Sequence, residues 1–146
     1  ALKDRDDAGK FAIQGFSRDL INVADNLRRA LEAVPEDLKE DARVNNLTDG
    51  IEATERELLR SFEKNGIAKL NPKGEVFDPN FHEVMFEAPM PSQPAGTIIE
   101  VIETGYTLHG RLLRPARVGV VKDDGQGNGK TQDPSADPGS NIDTQA

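Results

Sequence analysis

The chain has 146 residues, a formal net charge of −8, no Cys, no Trp and an aromatic content of 5%. This acidic balance disfavours nucleic acids and anionic membranes as partners, because phosphate binding depends on clustered Lys and Arg. The absence of Cys excludes disulfides and thiolate metal sites, and it fits a reducing compartment. So polar a chain predicts one or two small domains, with self-association supplying the missing apolar burial.

The start of the chain reads as the interior of a helix and lacks an initiator Met, so we expect a further segment upstream. No apolar run reaches the ~20 residues that a membrane-spanning helix needs. The first residues also lack the apolar stretch of a signal peptide.

Residues 11–34 are predicted to form the first helix. Its apolar positions alternate in steps of three and four, as in a helix packed along a partner helix. They are Ile13, Phe16, Leu20, Val23, Leu27, Ala30 and Val34. A second apolar edge at Ile21, Ala24 and Leu31 favours a bundle over a two-stranded coiled coil. The alternative is an ordinary amphipathic helix that packs on the core of its own domain.

A second helix is predicted from about Leu47 to Glu63, after a polar connection at 35–45 that begins with a helix-ending Pro. Asn46 is its expected N-terminal cap. Its apolar stripe consists of Leu47, Ile51, Leu58 and Phe62. Gly50 lies inside it, either because another backbone approaches there or because the first turn tolerates Gly at small cost.

From Ile67 onward, short apolar runs alternate with Gly and Pro, which predicts a small β-domain. The expected strands are 67–70, 75–77, 82–88, 97–104, 106–108, 111–113 and 117–121. His109 and Gly110 are expected to form a two-residue hairpin turn, since both tolerate positive φ. Residues 122–146 are acidic and rich in Gly and Pro, which predicts a disordered tail. The fold class is therefore α+β, with regions 1–65, 66–121 and 122–146.

The sequence offers little machinery for catalysis. His82 and Glu83 suggest acid–base or metal chemistry, but adjacent strand residues point to opposite faces, so a packed His is the favoured interpretation. The only other His lies in the expected turn. No Ser has a nucleophile-elbow setting, and the Gly-rich stretch 125–130 lacks the Ser or Thr and the helix of a phosphate loop. We therefore expect no enzyme activity, no metal and no cofactor.

Three arginines stand close together in the last strands of this acidic protein: Arg111, Arg114 and Arg117. Arg makes directional contacts at protein interfaces, although ordinary surface positions are the alternative. Ile102 shares a strand face with a Glu, which predicts an exposed apolar side chain and a candidate partner contact. We name Arg111, Ile102, Val120 and Arg117 as candidate partner-binding residues.

Four segments, in order, resemble the GrpE family of nucleotide exchange factors for the 70-kDa heat-shock chaperone DnaK. Residues 25–31 read DNLRRAL, 49–52 read DGIE, 77–82 read FDPNFH, and 105–121 read GYTLHGRLLRPARVGVV. The resemblance covers about residues 11–121. Two departures are visible: Val84 stands where the family more often has Ala, and most of the family's long amino-terminal helix is absent.

The resemblance implies a parallel homodimer in which paired long helices lead into a four-helix bundle, with a β-domain wing on each chain. It implies a heat-shock co-chaperone that contacts the nucleotide-binding domain of the chaperone and accelerates ADP release. A bacterial cytoplasmic location is expected, ahead of the mitochondrial matrix. The expected dimerisation residues are Phe16, Leu20, Val23, Leu27, Leu31, Leu47, Ile51 and Leu58.

Two alternatives come from other functional classes. One is a dimeric coiled-coil adaptor whose β-domain binds a different protein. The other is a small hydrolase that uses Asp78 and His82.

Overall fold

The computed structural model describes residues 2–123, which form three α-helices, one 3₁₀ turn and two three-stranded sheets. The α+β class is therefore confirmed. The helices are α1 (Leu2–Phe11), α2 (Gln14–Glu32) and α3 (Ala42–Lys64), with the 3₁₀ turn at Glu36–Leu38. The strands are β1 (Ile67–Leu70), β2 (His82–Ala88), β3 (Ile98–Glu103), β4 (Gly105–Leu108), β5 (Arg111–Arg114) and β6 (Ala116–Val121). Residues 124–146, where the tail was predicted, lie outside the described part.

The first helical segment bends instead of running straight. A break at Ala12 and Ile13 separates α1 from α2, within the span that was predicted as one helix. Helix α2 ends at Glu32, shortly before Pro35, because a residue that precedes Pro is pushed away from helical geometry.

Helix α3 begins at Ala42, so the prediction of a start near Leu47 was wrong. Asp41 caps it: its carboxylate accepts a hydrogen bond from the backbone N–H of Arg43 at 2.8 Å. Such a cap satisfies an N–H that the helix itself leaves unpaired. Gly50 therefore lies well inside the helix, and apart from the backbone of its own helix turn nothing in the described chain comes within 4 Å of where its Cβ would stand.

Strands β1, β4 and β5 form an antiparallel sheet in the order β1-β4-β5. The predicted hairpin turn between β4 and β5 is confirmed, with φ of 47° at His109 and 82° at Gly110. The backbone N–H of His109 also donates to the carbonyl of Gly66 at 2.8 Å, which ties the turn to the end of α3.

The other sheet has the order β2-β6-β3, with β6 parallel to β2 and antiparallel to β3. The predicted strand at 75–77 is wrong in extent: within the described chain only an isolated bridge forms there, between Val76 and Thr97. The apolar core of this sheet consists of Ile98, Ala116, Val118 and Val120, with Phe77 and Val101 packed against it.

The chain divides into two compact units. Among the described residues, the first contains the helices, β1 and the segment Thr104–Pro115, and the second contains Asn71–Glu103 and residues 116–123. The division differs from the expected boundary at residue 65, because β1, β4 and β5 share a core with α2 and α3. Ile21, Phe62, Tyr106 and Leu108 are buried members of that core. None of the described helices is both long and apolar enough to cross a membrane.

Candidate functional site

The hairpin formed by β4 and β5 carries the most specific motif of the sequence. Its interior face is fixed by Tyr106, which is 1% exposed and meets the ring of Phe62 edge-on at a centroid distance of 5.8 Å. Its turn is fixed by His109, whose ring lies against Gly66 so closely that a Cβ there would stand 2.2 Å from Cε1. Gly66 also has a φ of 83°, so this position needs Gly for two reasons.

Arg111 lies at the start of β5 and is exposed. Its guanidinium stacks over the ring of Phe11, with Cζ 3.6 Å from the centroid, and Nη1 donates to Oε1 of Gln14 at 3.4 Å. A cation–π contact at an exposed site is worth about 0.5–1 kcal/mol. The same Phe11 ring meets His109 edge-on at 6.0 Å. The side chain of Arg111 is thus oriented by the bend between α1 and α2.

Arg114, on the same strand, has a different environment. Its Nη1 and Nη2 donate to the two oxygens of Asp25 at 2.6 and 3.1 Å, and each side chain is 20% exposed. Nε and Nη2 also donate to the carbonyl of Thr104 at 3.1 and 2.7 Å. Charge-assisted pairs of this bidentate kind are the strongest hydrogen bonds that side chains make. Arg114 therefore binds its own chain.

The other predicted partner-binding residues belong to the second unit. Ile102 is 51% exposed on β3, in agreement with its expected exposure. Arg117 on β6 is partly exposed and lies 3.5 Å from a carboxylate oxygen of Glu83, its neighbour on β2. Val120 is 5% exposed and packs with Ile98 and Val118, so its side chain contributes to the core and offers almost no surface.

Three of the eight predicted dimerisation residues are exposed and five are partly buried, of which Leu20 and Leu58 pack against the core of the first unit. Phe16, Val23 and Leu47 are 64%, 46% and 65% exposed. Leu20, Leu27, Leu31, Ile51 and Leu58 are partly buried. The chain's own core takes the other edge of α2, through Ser17, Ile21 and Ala24. Phe16 and Val23 on α2 and Leu47 on α3 are thus left uncovered in the single chain.

Asp78 and His82, the residues of the hydrolase alternative, are engaged in a turn. His82 is buried, and its Nδ1 accepts a hydrogen bond from the backbone N–H of Asp78 at 2.9 Å. The Asp78 carboxylate accepts from the backbone N–H of Asn80 at 2.9 Å. The two side chains are thus occupied by backbone partners. The described residues also contain no cluster of His, Cys, Asp and Glu that could hold a metal ion.

Sequence reasoning missed two partly buried ion pairs. Besides Asp25 with Arg114, Arg28 on α2 donates through Nε and Nη2 to both oxygens of Glu55 on α3, at 3.1 and 2.5 Å. A usable signal existed, because Asp25 stands four residues after the apolar Ile21 and so shares its helix face. A carboxylate on a buried face needs a cationic partner.

Comparison with known proteins identifies the family. The GrpE family model matches residues 1–122. The chain is 50% identical over 121 residues to a Protein GrpE of Brucella anthropi, covering 82% of this chain and 53% of that protein. It is 49% identical to a Protein GrpE of Brucella melitensis biotype 1, covering 82% of this chain and 54% of that protein. It is also 49% identical to a Protein GrpE of Rhodopseudomonas palustris, covering 82% of this chain and 59% of that protein. The chain thus spans little more than half the length of these relatives.

Proposed function

Because the chain belongs to the GrpE family, we propose that it is a co-chaperone that acts as nucleotide exchange factor for a DnaK-type heat-shock chaperone. In this proposal it binds the nucleotide-binding domain of the chaperone and accelerates ADP release. The observation that carries the proposal is the family match running through the hairpin that displays Arg111. Since the relatives are bacterial, the proposed site of action is the bacterial cytoplasm.

The mechanism requires no bond-breaking step. A protein that binds the open, nucleotide-free chaperone more tightly than the closed form lowers the chaperone's affinity for ADP by the same factor. The free energy comes from contacts that are made best when the cleft is open. An interface of standard size buries about 1,200–2,000 Å² in total.

We assign the chaperone contacts to two exposed side chains, Arg111 and Ile102, and to the partly exposed Arg117. Arg111 has the strongest case, because it is exposed while Phe11 and Gln14 limit its rotamers, so less entropy is lost on binding. Val120 keeps a supporting role: its burial holds β6 in the sheet from which Arg117 projects.

We propose that the active form is a parallel homodimer joined by α2 and α3. The support is the stripe on α2 that includes Phe16 and Val23, together with Leu47 on α3, all exposed in the single chain. The apolar residues of the α2 stripe, Phe16, Leu20 and Val23, follow one another in steps of four and three, as in helix bundles. Covering such a stripe removes apolar area from water at about 25 cal/mol per Å².

The deciding experiment measures release of a fluorescent ADP analogue from DnaK. The wild-type chain is expected to accelerate release, and Arg111→Ala is expected to weaken chaperone binding and slow the stimulated release. Loss of an interfacial Arg costs about 1–3 kcal/mol, or roughly 5- to 150-fold in affinity. Sedimentation should show that the variant still self-associates like the wild type.

Arg60→Ala is the matched control, because Arg60 is also exposed on the first unit and its ion-pair partner Glu57 lies on the same helix. The Arg60→Ala variant should accelerate ADP release from DnaK as much as the wild type does. If Arg111→Ala and the wild type accelerate ADP release equally, Arg111 does not belong to the chaperone-binding surface. A wild-type chain that leaves ADP release unchanged would contradict the exchange function and favour the adaptor alternative.

A further inference from the structure

One guanidinium in the first unit holds two parts of the chain at once. Arg114 donates to both carboxylate oxygens of Asp25 on α2 and, through Nε and Nη2, to the carbonyl of Thr104. Tyr106 lies beneath it, with its ring centroid 5.5 Å from Cζ. Thr104, Asp25 and Arg114 are thereby joined into one cluster, which we call the Arg114 anchor.

The chain crosses between its two units three times, first after Leu70, and the anchor lies at the other two crossings. The chain enters the first unit at Thr104 and leaves it after Pro115. Arg114 therefore binds the carbonyl of Thr104, the first residue after the chain re-enters the first unit. Arg114 itself immediately precedes Pro115, the last residue before the chain leaves that unit again. Through Asp25, these two of the three crossings are attached to helix α2.

The chemistry of the anchor requires Arg specifically. A guanidinium presents donors in a planar fork, so one edge can match a carboxylate while other N–H groups reach a carbonyl. A Lys ammonium keeps the charge but is a compact point donor without that fork. With both side chains four-fifths buried, the loss of one partner leaves a poorly solvated charge. Each member of the pair therefore depends on the other for compensation of its charge.

We propose that Arg114 is a positioning residue for partner binding. By fixing Thr104 and strand β5 to α2, it keeps the hairpin that displays Arg111 in the geometry that the partner recognises. This inference rests on the proposed exchange function, in which Arg111 contacts the chaperone.

The first test needs no partner. Hydrogen exchange of backbone amides is compared in wild type, Arg114→Lys and Asp25→Asn, with Arg60→Lys, from an exposed pair with Glu57, as the matched control. Loosening of the anchor should speed exchange in β4 by about tenfold or more, a change typical of local opening, while amides in the middle of α3 keep wild-type rates. Wild-type protection of β4 in both anchor variants would overturn the anchor.

The second test measures ADP release from DnaK as the concentration of each variant is raised. A positioning role predicts a half-saturating concentration raised about fivefold or more, with the maximal release rate retained, and an Asp25→Asn/Arg114→Lys double variant no worse than the single ones. A release curve for Arg114→Lys equal to wild type overturns the positioning role. The positioning role is also overturned if the weaker stimulation of ADP release by Arg114→Lys disappears at a lower temperature, where circular dichroism shows that the variant is fully folded.

The two tests also separate this inference from the proposed function. If the wild-type chain fails to accelerate ADP release, the exchange function is wrong and the positioning role falls with it. In that case the hydrogen-exchange comparison still decides whether Arg114 anchors the crossings.

Discussion

At the residue scale, Tyr106 shows how burial changes the chemistry of a side chain. It is almost fully enclosed in the first unit, beside Phe62, with the carboxylate of Asp25 nearby. Burial raises the pKa of the Tyr106 hydroxyl above its ordinary value of 10.0, and the negative charge of Asp25 raises it further. The folded protein therefore strongly favours the neutral phenol.

The raised pKa makes stability fall at alkaline pH. A group whose folded pKa lies above its unfolded pKa contributes its full stabilisation below the unfolded value, and this is lost as pH rises through the folded pKa. We expect the unfolding free energy of the wild type to decrease more steeply above about pH 10 than that of Tyr106→Phe. Denaturant unfolding across this pH range measures the difference.

Tyr106 is the only Tyr in the chain and there is no Trp, so the absorbance of tyrosinate reports its ionisation directly. The wild-type midpoint should lie above that of the urea-unfolded chain. Equal midpoints in the folded and unfolded states would contradict the pKa shift.

Gly119 marks a second position at which one atom decides the packing. A Cβ built there would stand 2.0 Å from Cζ of Phe86, whose ring covers β6 at this point. We expect Gly119→Ala to lower the unfolding free energy by about 1–3 kcal/mol, since an extra methyl in a filled space forces its neighbours to shift. The cost should shrink in a Phe86→Ala background.

Gly50→Ala is the matched control, since apart from the backbone of its own helix turn nothing in the described chain lies within 4 Å of the added Cβ. It should raise stability by up to about 1 kcal/mol, the propensity difference between Gly and Ala in a helix. Denaturant titration at one protein concentration compares the two variants. An equal effect of both substitutions would mean that the Phe86 ring does not fill the space over Gly119.

At the scale of elements, α2 and α3 are joined by an ion pair as well as by apolar contacts. Glu55 is almost fully buried, whereas the Arg28 side chain remains 47% exposed. The hydrogen bonds from Arg28 to Glu55 raise the pKa of the Arg28 guanidinium, so the cation persists throughout the usual pH range. The buried carboxylate depends on this partner for its compensation.

Removing the cation alone should therefore destabilise the helix pair. Arg28→Met leaves Glu55 without its partner, and we expect a loss of about 1–2 kcal/mol, reduced by the solvent that reaches this site. The double variant Arg28→Met/Glu55→Leu should regain most of the loss, because an apolar pair needs no compensation. Thermal and denaturant unfolding measure both. A double variant no more stable than Arg28→Met would contradict this account.

The same two helices show which parts of an element can be predicted. The spacing of Phe16, Leu20 and Val23 predicted a helix and an apolar stripe, and both are present. Local spacing did not determine which of two apolar edges packs inside the chain. The structure buries the edge containing Ile21 and Ala24, because this edge faces Phe62 and Tyr106 in the same core.

At the scale of the whole molecule, the partly exposed apolar stripe on α2 can be used to test the proposed homodimer. Leu27 belongs to neither buried core cluster of the described chain, although it continues the stripe of Phe16, Leu20 and Val23. A charge at that position would have to be desolvated in a helix–helix interface, at a cost of several kcal/mol. We therefore expect Leu27→Asp to convert the proposed dimer into monomers in sedimentation experiments.

Asn22→Asp is the control, because Asn22 is exposed on the same helix and already polar. It should sediment like the wild type. A Leu27→Asp variant that remains dimeric would show that the stripe is not the dimer seam. Circular dichroism of the monomeric variant should retain helix and sheet, since its core residues are unchanged.

The sequence by itself determined the local structure and the family. Residues at helical spacing, short apolar runs bounded by Gly and Pro, and the His109-Gly110 pair each impose a conformation through nearby atoms, so they can be read along the chain. Only the tertiary structure decided the parallel pairing of β2 with β6, the burial of Val120, and the partner of Arg114, which lies 89 residues away at Asp25. Those contacts join residues distant in sequence, and local spacing carries no information on which distant group fills a buried face. The three arginines of the carboxyl-terminal motif thus have separate roles: one is exposed on the hairpin, one anchors it, and one lies on the central strand of the other sheet.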